Sequence, residues 1–445
     1  MSIKSLVRKL IPEPILSLYH LSLAKLAEFW YGHPSEKLIV IGITGTNGKS
    51  STVQFLGQIL EAAGHKVGWT STASFKVADK LWVNDKKMTM LGRFQTQRLL
   101  KEMVAAGCEY AIVETSSQGI SQYRHAGINY DVAAITNLTP EHIEAHGGFE
   151  NYQKAKGKLF AHTAAGQRKT LGTKNIEKIS VVNIDDEHAD YFLKFELDKR
   201  YGFGLADKKY EELAHKRKFI PVVAKNLQIK AAGSEFAVEG VEFKLKPLGK
   251  FNVQNVLAAI TMARALGLDW AAIRQGVKAI EPVPGRMETV DQGQDFSVIV
   301  DYAYEPAALA AVYETVKLMK PKRIIHVTGS AGGGRDAARR AVIGRLAAKH
   351  DDIVIVTNED PYDEDPILII NAVAEAAVKA GKQDDQDLFR VLDRQEAIDL
   401  AVSLARKDDL VLITGKGSEP VMAVANDKKI PWDDRTAAKK AIKKI

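Results

Sequence analysis

The chain of 445 residues has one cysteine, no apolar run long enough to span a bilayer, and no basic stripe before its last ten residues. A single cysteine excludes an intrachain disulfide, and the apolar stretch around Cys108 predicts a buried core position for it. The lack of an apolar run of about 18 residues and of a signal-peptide pattern predicts a cytoplasmic protein. Without a basic stripe, nucleic acid is not expected as a partner, although the net charge of +7 would attract small anionic ligands.

An apolar-rich segment near the start, residues 3–31, is flanked by basic residues and ends in Phe29, Trp30 and Tyr31. Its pattern predicts a helix, interrupted on its apolar side by Lys25 and Glu28. Two interpretations stay open. The helix packs on the protein body, or it makes a peripheral contact with a membrane surface.

The length of the chain and its clusters of proline and glycine predict three parts. They are an N-terminal amphipathic helical segment over 1–36, a central domain over 37–283 and a C-terminal domain over 284–445. Short apolar runs alternate with helical patterns in both larger parts, which predicts an α/β fold with parallel sheets between helices. The region 200–245 is instead predicted to be a small antiparallel patch, and the lysine-rich tail 435–445 a solvated helix. Strands are predicted at 38–43, 110–113, 132–136, 180–183, 296–301, 323–328, 353–357 and 410–414, and helices at 49–63, 306–319, 335–349, 366–379 and 394–405.

The strongest local signal is the segment 42–51 (GITGTNGKSS), which joins a predicted strand to a predicted helix. Glycines allow successive backbone N–H groups to point at phosphate oxygens, and the helix N-terminus adds a partial positive charge. Lys49 would reach the β- and γ-phosphates of ATP, and the Ser50 hydroxyl would bind Mg²⁺. The spacing departs from the common G-x-x-x-x-G-K-[ST] pattern, because Ile43 occupies the first glycine position. The candidate ATP-binding residues of this loop are Gly45, Thr46, Asn47, Gly48, Lys49, Ser50 and Ser51.

Several further strings, in the same order along the chain, accompany this loop. They are ETSS at 114–117, TNLTPEH at 136–142, ENYQKAK at 150–156, GKFNVQN at 249–255, PGRME at 284–288, DYA at 301–303, GRD at 334–336, DP at 360–361, GKG at 415–417 and DDR at 433–435. Together with TGTNGKS at 44–50 they resemble the Mur ligase superfamily, which also contains folylpolyglutamate and cyanophycin synthetases. The spacing from His142 to Lys156 is similar to that of the tripeptide-synthetase branch, and the resemblance covers about residues 38–437.

The resemblance implies an ATP-dependent ligase that activates a carboxylate as an acyl-phosphate and joins it to an amine, here an amino acid added to a muramoyl-peptide. It implies a P-loop central domain with a parallel sheet, followed by a Rossmann-like C-terminal domain. Lys49, Glu114, His142 and Lys156 would be catalytic. The resemblance implies two Mg²⁺ ions. Ser50 would hold the ion that bridges the β- and γ-phosphates, and Glu114 and His142 would hold the second, near the incoming carboxylate. Lys156, as a carbamate formed with CO₂, would orient the metal.

Other positions follow from the same resemblance. Asn252, Asn255, Arg286 and Asp301 would contact the nucleotide, and Arg286 suits a phosphate because its guanidinium is a permanent bidentate donor. The residues implied to bind the donor or the amino acid are Thr89, Ser116, Gln122, Arg124, Arg335, Asp360 and Glu419.

The match departs from the branch in two places. Only about 37 residues precede the loop, too few for the uridine-binding domain with which the branch usually begins, so the donor could be UDP-linked or lipid-linked. The Asp-Asn-Pro-Arg string of the diaminopimelate-adding enzymes reads EDPY at 359–362. The acidic group 359–365 either favours a cationic amino acid such as lysine or is a solvated acidic loop.

Two alternative functions remain. A related amide ligase of the folylpolyglutamate or cyanophycin type would keep the same loop and use another substrate. A nucleotide-binding protein without catalysis would also keep the loop, but the joint presence of Lys49, Glu114, His142 and Lys156 argues against it.

Overall fold

The fold is that of a computed structural model. It describes residues 12–140, 146–205, 210–333 and 337–445. Two predicted site residues, His142 and Arg335, lie outside the described residues, as do the basic residues that precede position 12.

The chain divides into two compact units. The first unit runs to Leu227 and adds residues 236–243 and 253–280, and the second contains 228–235, 244–252 and 281–445. The boundaries predicted at 36/37 and 283/284 stay predictions.

The elements of the chain up to residue 280 alternate for most of their length between strands and helices. The helices are α1 (Glu13–Trp30), α2 (Lys49–Ala62), α3 (Arg93–Ala105), α4 (Ser117–Ser121), α5 (Phe149–Ala165), α6 (Ala189–Leu193), α7 (Glu211–Arg217), α8 (Lys250–Ala265) and α9 (Trp270–Ala279). The strands are β1 (Ile39–Thr44), β2 (Val67–Thr70), β3 (Ser74–Val77), β4 (Lys80–Val83), β5 (Tyr110–Glu114), β6 (Val132–Ile135), β7 (Thr170–Leu171), β8 (Lys174–Asn175), β9 (Ile179–Asn183), β10 (Lys199–Leu205), β11 (Ile220–Lys230), β12 (Gly233–Val238) and β13 (Val241–Leu245).

One large sheet contains most of these strands, in the order β13-β12-β11-β10-β9-β6-β1-β5-β2-β3-β4. β1 lies between β5 and β6 and is parallel to both. Ile43 pairs with Glu114 and Thr44 with Ile135, so the carboxyl ends of the three strands meet at one edge. That edge is where ligands bind in open parallel sheets.

The remaining elements belong to the second unit. Its strands are β14 (Glu288–Thr289), β15 (Ser297–Asp301), β16 (Ile324–Gly329), β17 (Ile353–Thr357), β18 (Leu388–Val391), β19 (Leu410–Thr414), β20 (Val421–Val424) and β21 (Lys428–Pro431). Its helices are α10 (Pro306–Met319), α11 (Ala338–His350), α12 (Pro366–Lys379), α13 (Arg394–Leu404) and α14 (Asp434–Ile442). The main sheet, β14-β15-β19-β16-β17-β18, is parallel except for β14, and two separate apolar clusters pack against it.

Helix α1 packs against α3 with its small side chains. Ala24 and Ala27 are buried, and Ala24 approaches Gly127 closely. Leu16, Leu21 and Leu23 are half-buried, but six other large apolar side chains of the helix are exposed. They are Ile15, Leu18, Tyr19, Leu26, Phe29 and Trp30. Among the described helices, none is both long and apolar enough to cross a membrane.

The α/β prediction is confirmed, and each predicted strand of the parallel sheets is present within one or two residues. Two predictions were wrong, one of them in part. The region 200–245 is antiparallel only in part. β10 and β11 are parallel and extend the main sheet, whereas β11, β12 and β13 are neighbours joined by two-residue connections, which antiparallel strands allow. The tail helix is not solvated, because Ala437, Ala438 and Ala441 are buried in an apolar cluster of the second unit.

Candidate active site

The loop after β1 is shaped by two glycines with positive φ. Gly45 has φ of 144° and Gly48 has φ of 80°, conformations that other residues adopt only with strain. A Cβ on Gly45 would overlap the Thr136 hydroxyl, and a Cβ on Gly48 would overlap the Asn255 amide oxygen. Glycine is therefore required at both positions for space as well as for backbone conformation.

The loop is held open by the segment that follows β6. Asn137 Oδ1 accepts a hydrogen bond from Asn47 N at 2.9 Å, and Asn137 Nδ2 donates to Asn47 O at 3.1 Å. Thr136 Oγ1 also donates to Asn47 O at 2.6 Å, and Thr46 N donates to Asn137 O at 2.9 Å. These bonds fix the backbone of the loop before any ligand is present, which reduces the ordering that binding would require.

Tyr152 on α5 supports the loop from a second side. Its hydroxyl lies 3.1 Å from Thr46 Oγ1, and that oxygen also accepts a bond from Thr139 N at 3.0 Å. The ammonium of Lys156 lies 4.4 Å from the centre of the Tyr152 ring, at cation–π distance. His146 stacks at a tilt on the same ring and lies 3.1 Å from Ser117 Oγ.

Two lysines converge on the carbonyl oxygen of Gly45. Lys49 Nζ donates to Gly45 O at 3.1 Å and to Thr46 O at 2.7 Å. Lys156 Nζ, almost fully buried, donates to Gly45 O at 2.6 Å. Two cations at one edge of a phosphate-type loop make this a strongly positive position.

Glu114 at the end of β5 is a buried carboxylate with several donors. Ser50 Oγ donates to Glu114 Oε2 at 2.8 Å, Thr72 N donates to Oε2 at 2.7 Å, and Thr72 Oγ1 lies 2.9 Å from Oε1. Thr72 Oγ1 is also 2.9 Å from Thr89 Oγ1. A polar track therefore runs from the start of α2, through Glu114, to the predicted substrate residue Thr89.

The oxygens of Ser50 and Glu114 fit the preference of Mg²⁺ for hydroxyl and carboxylate ligands. They are already within hydrogen-bonding distance of each other, so one ion can reach both. Within the described part of the chain, no group of three histidine, cysteine or acidic side chains is placed to bind a metal.

Three more predicted substrate residues lie further along that track. Ser116 caps α4, accepting a bond from Gly119 N at 3.2 Å. Arg124 donates from Nε and Nη2 to Gln122 Oε1 at 3.1 and 2.7 Å, and from Nη1 to Met90 O. The structure thus brings together Ser50, Glu114, Thr89, Ser116, Gln122 and Arg124 in the first unit.

The other predicted ATP-binding residues are placed as follows. Ser51 is buried in the first turn of α2, and Asn255 on α8 lies against Gly48. Asn252 donates to Leu248 O at 2.8 Å, which fastens the start of α8.

In the second unit, Asp301 ends β15 and is buried. Its carboxylate accepts bonds from Met287 N and Ala303 N, both at 2.7 Å. Burial raises the pKa of Asp301 above its ordinary value, and the charge of Arg286 opposes that rise. The guanidinium of Arg286 lies 4.1 Å from the centre of the Tyr302 ring.

A buried lysine, Lys416, connects the two predicted acidic substrate residues. Its Nζ lies 3.0 Å from both carboxylate oxygens of Asp360, donates to Val421 O at 2.9 Å, and also pairs with Glu419. The Tyr302 hydroxyl donates to Glu419 Oε1 at 2.9 Å. Burial alone would lower the pKa of Lys416, but Glu419 and Asp360 outweigh it and hold that pKa above its usual value.

Glu359 is the least satisfied carboxylate of this cluster. It is buried, and its Oε1 has no hydrogen-bond partner among the described residues. Burial raises its pKa to about 7, although Arg394 and Arg339 lower it. A Cβ on Gly415 would overlap Glu359 Oε1, so glycine at 415 leaves the carboxylate its space.

The remaining acidic residues of 359–365 have contacts within the chain, but Asp363 and Asp365 are exposed. The preference of this group for a cationic amino acid stays a prediction. Asp360 is paired with Lys416, and Glu364 with Arg340 at 2.5 Å. Asp365 caps α12 by accepting from Ile367 N at 2.9 Å.

Sequence reasoning missed several residues that hold the site. Asn137 and Tyr152 stood inside recognised strings but were given no role, because their contacts with the loop bridge about 90 to 106 positions of sequence. Thr72 and Arg93 carried no motif. Lys416 stood in a recognised GKG string, where a buried lysine between glycines was the available signal.

Comparisons with known proteins agree over almost the whole chain. A family model described as the Mur ligase middle domain matches residues 43–263, and one described as the Mur ligase, glutamate ligase domain matches residues 285–417. The chain is 36% identical to a UDP-N-acetylmuramoyl-L-alanyl-D-glutamate--2,6-diaminopimelate ligase of Geobacillus kaustophilus, over 97% of this chain and 84% of the relative. It is 35% identical to a UDP-N-acetylmuramyl-tripeptide synthetase of Roseiflexus, over 98% of this chain and 85% of the relative.

Solved structures give the same picture of the fold. A UDP-N-acetylmuramoyl-L-alanyl-D-glutamate--2,6-diaminopimelate ligase superposes with a TM-score of 0.59 at 28% identity, covering 92% of this chain and 78% of the other. A Mycobacterium tuberculosis folylpolyglutamate synthase complexed with ADP and AMPPCP superposes with a TM-score of 0.66 at 19% identity, covering 89% and 92%. The second likeness, at this identity, concerns the fold alone.

Proposed function

Because the chain belongs to the Mur ligase family of ATP-dependent amide-bond ligases, we propose that it adds an amino acid to a muramoyl-peptide donor in peptidoglycan precursor synthesis. Relatives named for this step match nearly the full length of the chain. The observation that carries the proposal is the convergence of Lys49, Lys156 and Glu114 around one glycine-rich loop. We propose the cytoplasm as its site of action, since ATP is available there.

The residues of the loop divide the work of phosphoryl transfer between them. The Lys49 ammonium and the backbone N–H groups of Gly48 and Lys49 at the start of α2 stabilise the charge that spreads over the phosphate oxygens. The N–H groups of Thr46 and Asn47 instead hold the loop by donating to Asn137. The donor carboxylate is phosphorylated beside the Lys49 ammonium, and the amine of the amino acid then displaces phosphate to form the amide. Asn137 and Tyr152 hold the loop in one shape, so that little reorganisation is needed when the substrates bind.

Mg²⁺ would be held by the Ser50 hydroxyl and the Glu114 carboxylate. When bound, it would neutralise charge on the phosphates and orient the donor carboxylate. The hydrogen bond that Ser50 donates to Glu114 supports this assignment, because the two oxygens already share one small space.

We also propose that Lys156 is carbamylated by CO₂ in the working enzyme. A buried ammonium beside bound Mg²⁺ would repel the ion, whereas a carbamate would attract it. Incubation with ¹³C-bicarbonate should give one carbamate carbon resonance in the wild type and none in Lys156→Ala, which should also lose most activity. A wild-type rate in Lys156→Ala, or identical ¹³C spectra of the variant and the wild type, would contradict the proposed carbamate.

The direct test of function is ADP release with defined donors. UDP-muramoyl-L-alanyl-D-glutamate, folate and a plain dipeptide are each offered with lysine, diaminopimelate or glutamate, with Lys49→Met as the inactive control. Release that needs both the muramoyl donor and an amino acid supports the proposal. Release only with folate supports the folylpolyglutamate type instead. A lipid-linked muramoyl-peptide is offered as well, and release with none of the four donors contradicts a ligase of this kind.

We also propose that helix α1 makes a peripheral contact with an anionic lipid surface. The exposed side of α1 presents Tyr19, Phe29 and Trp30, and burial of Ala24 and Ala27 leaves these large side chains outside. Basic residues at 4, 8 and 9 precede the helix in sequence, and no acidic residue lies before position 13. Aromatic side chains with adjacent basic charge favour the interface of an anionic bilayer.

Vesicle sedimentation tests the contact. Wild-type protein should co-sediment with vesicles that contain phosphatidylglycerol and less with neutral ones, and Phe29→Ser/Trp30→Ser should reduce binding. Ile367→Ser/Leu368→Ser is the matched control, since it removes another adjacent pair of exposed apolar side chains, from α12. Equal binding of the two variants would contradict a membrane role for α1.

A further inference from the structure

A pair of arginines, Arg93 and Arg124, lies at the end of the polar track that starts at Ser50. Arg93 is the first residue of α3 and donates from Nη2 to the backbone oxygen of Gln122. Arg124 donates from Nε and Nη2 to the side-chain oxygen of the same residue, Gln122. Both guanidiniums therefore rest on one residue, and both are partly buried.

Neither guanidinium has a carboxylate partner among the described residues. In the part of the chain that the structure describes, each acceptor of the pair is a neutral carbonyl or amide oxygen, and Arg93 Nε is buried without an acceptor. Burial lowers the pKa of Arg93, and burial together with the charge of Arg93 lowers the pKa of Arg124. Two like charges removed from water on neutral acceptors are unfavourable until an anion joins them.

The position of the pair relates it to the donor rather than to the nucleotide. Arg124 donates to Met90 O, next to Thr89, and Thr89 is linked through Thr72 to Glu114. Met90 also packs on Gly119, beside the cap residue Ser116. The pair thus lies at the far end of a chain of contacts that starts at Glu114, along residues proposed to bind the donor.

We propose that Arg93 adds a second guanidinium to Arg124, which is already implied to bind the donor, and that the two together hold an oxyanion of the donor, either a free carboxylate of its peptide or its diphosphate. This inference rests on the proposed function, which supplies a donor with both groups. Two forks at one place can bind a carboxylate or phosphate bidentately, which a single lysine cannot do. Arg93 is therefore a donor-binding residue that determines which anion the site accepts.

The test compares Arg93→Met and Arg93→Lys with Arg98→Met. Arg98 is the matched control because it lies on the same helix, is exposed, and pairs with Glu102 one turn on. Arg93→Met should raise the KM for the donor about 10- to 100-fold, with the affinity for ATP within 2-fold of wild type. Arg93→Lys should recover only part of the loss, because it keeps the charge and loses the fork, and Arg98→Met should stay near wild type.

Three donors identify the anion. They are the UDP-linked donor, the same muramoyl-peptide without the diphosphate, and the donor with its free peptide carboxylate amidated. The KM for each donor is compared between Arg93→Met and wild type. If the ratio of the two KM values falls towards one with the second donor, the site binds diphosphate. If it falls towards one with the third donor, the site binds the carboxylate. An unchanged ratio with both, or equal behaviour of Arg93→Met and Arg98→Met, overturns the anion site.

Direct binding separates this inference from the proposed function. If no donor gives ADP release, the function fails, and the site is still tested by titrating pyrophosphate or glutarate in the presence of saturating Mg-AMPPCP, which fills the phosphate loop. Weaker binding by Arg93→Met than by Arg98→Met supports the anion site. Equal binding of both probes by the two variants overturns it.

Discussion

Replacement of Gly48 by alanine tests the two reasons why the phosphate loop needs glycine there, which are the positive φ of the backbone and the lack of space for a Cβ. The backbone at Gly48 has φ of 80°, which costs a residue with a Cβ about 1–2 kcal/mol. The new Cβ would also overlap Asn255 Oδ1 and lie 2.9 Å from Asn255 Cγ, and overpacking of this kind costs about 1–3 kcal/mol. The empty loop can relieve the collision by shifting, but nucleotide binding must restore the original shape.

The expected result follows from that difference. The backbone cost and the overpacking cost together amount to about 2–5 kcal/mol, and this free energy has to be supplied when Mg-ATP binds. We therefore expect Gly48→Ala to weaken Mg-ATP binding at least about 30-fold, as measured by calorimetry. Gly64→Ala is the matched control, because Gly64 has φ of 88° at the other end of α2 and open space around its Cβ position. It should lower stability by about 1–2 kcal/mol and leave ATP affinity unchanged.

A double-mutant cycle with Asn255→Ala tests the collision itself. In the absence of the Asn255 amide, Gly48→Ala should add no more than the backbone cost of about 1–2 kcal/mol to the effect of Asn255→Ala. The effects of the two single changes should therefore not be additive. Strict additivity, or wild-type ATP affinity in Gly48→Ala, would refute the reasoning.

Three further predictions concern stability. Because burial raises the pKa of Glu359 to about 7 from an ordinary 4.5, the native state keeps a proton that the unfolded chain releases; stability should fall by about 3 kcal/mol between pH 4.5 and 7 and then stay level. Glu359→Gln should flatten that slope in urea denaturation at pH 5 and 8, and an unchanged slope would contradict the assignment. Tyr152→Phe removes one hydrogen bond to Thr46 and should cost about 1 kcal/mol, with ATP affinity reduced a few-fold; no effect on either would argue against loop support. Arg394→Met leaves the buried carboxylate of Asp434 without its guanidinium and should cost about 3–5 kcal/mol, and Arg394→Met/Asp434→Asn should recover part of it; a greater loss in the double variant would contradict the pairing.

The sequence predicted the parallel sheets well because local patterns determine them. β1, β15 and β17 are short apolar runs next to glycine or polar turns, and their bounds matched within one or two residues. The prediction for 200–245 failed in part because alternation predicts a strand but not its partner. β10 and β11 alternate like antiparallel strands, and their parallel pairing depends on a crossover that contains α7.

The site residues that lie within one short motif could be predicted from the sequence. Those that reach the site through contacts between distant positions could not. The loop 42–51 could be recognised by its glycines and lysine, but its supports Asn137 and Tyr152 lie about 90 to 106 positions away. The acidic group 359–365 showed the opposite problem. Its composition indicated free charge, whereas Lys416 and Arg340 neutralise Asp360 and Glu364 in the folded chain.

Helix α14 has a practical meaning for handling this protein. Its Asp434 accepts bonds from Arg394 and from Gly417 N, and Arg394 in turn donates to Thr414 O. The last helix therefore fixes the loop that carries Lys416 at Gly417 directly and at Thr414 through Arg394. Proteolytic trimming that removes this helix would loosen the Lys416 loop, to which the contact between Asp434 and Gly417 links it across 17 positions of sequence. Intact mass should therefore be verified before any loss of ligase activity is attributed to a substitution.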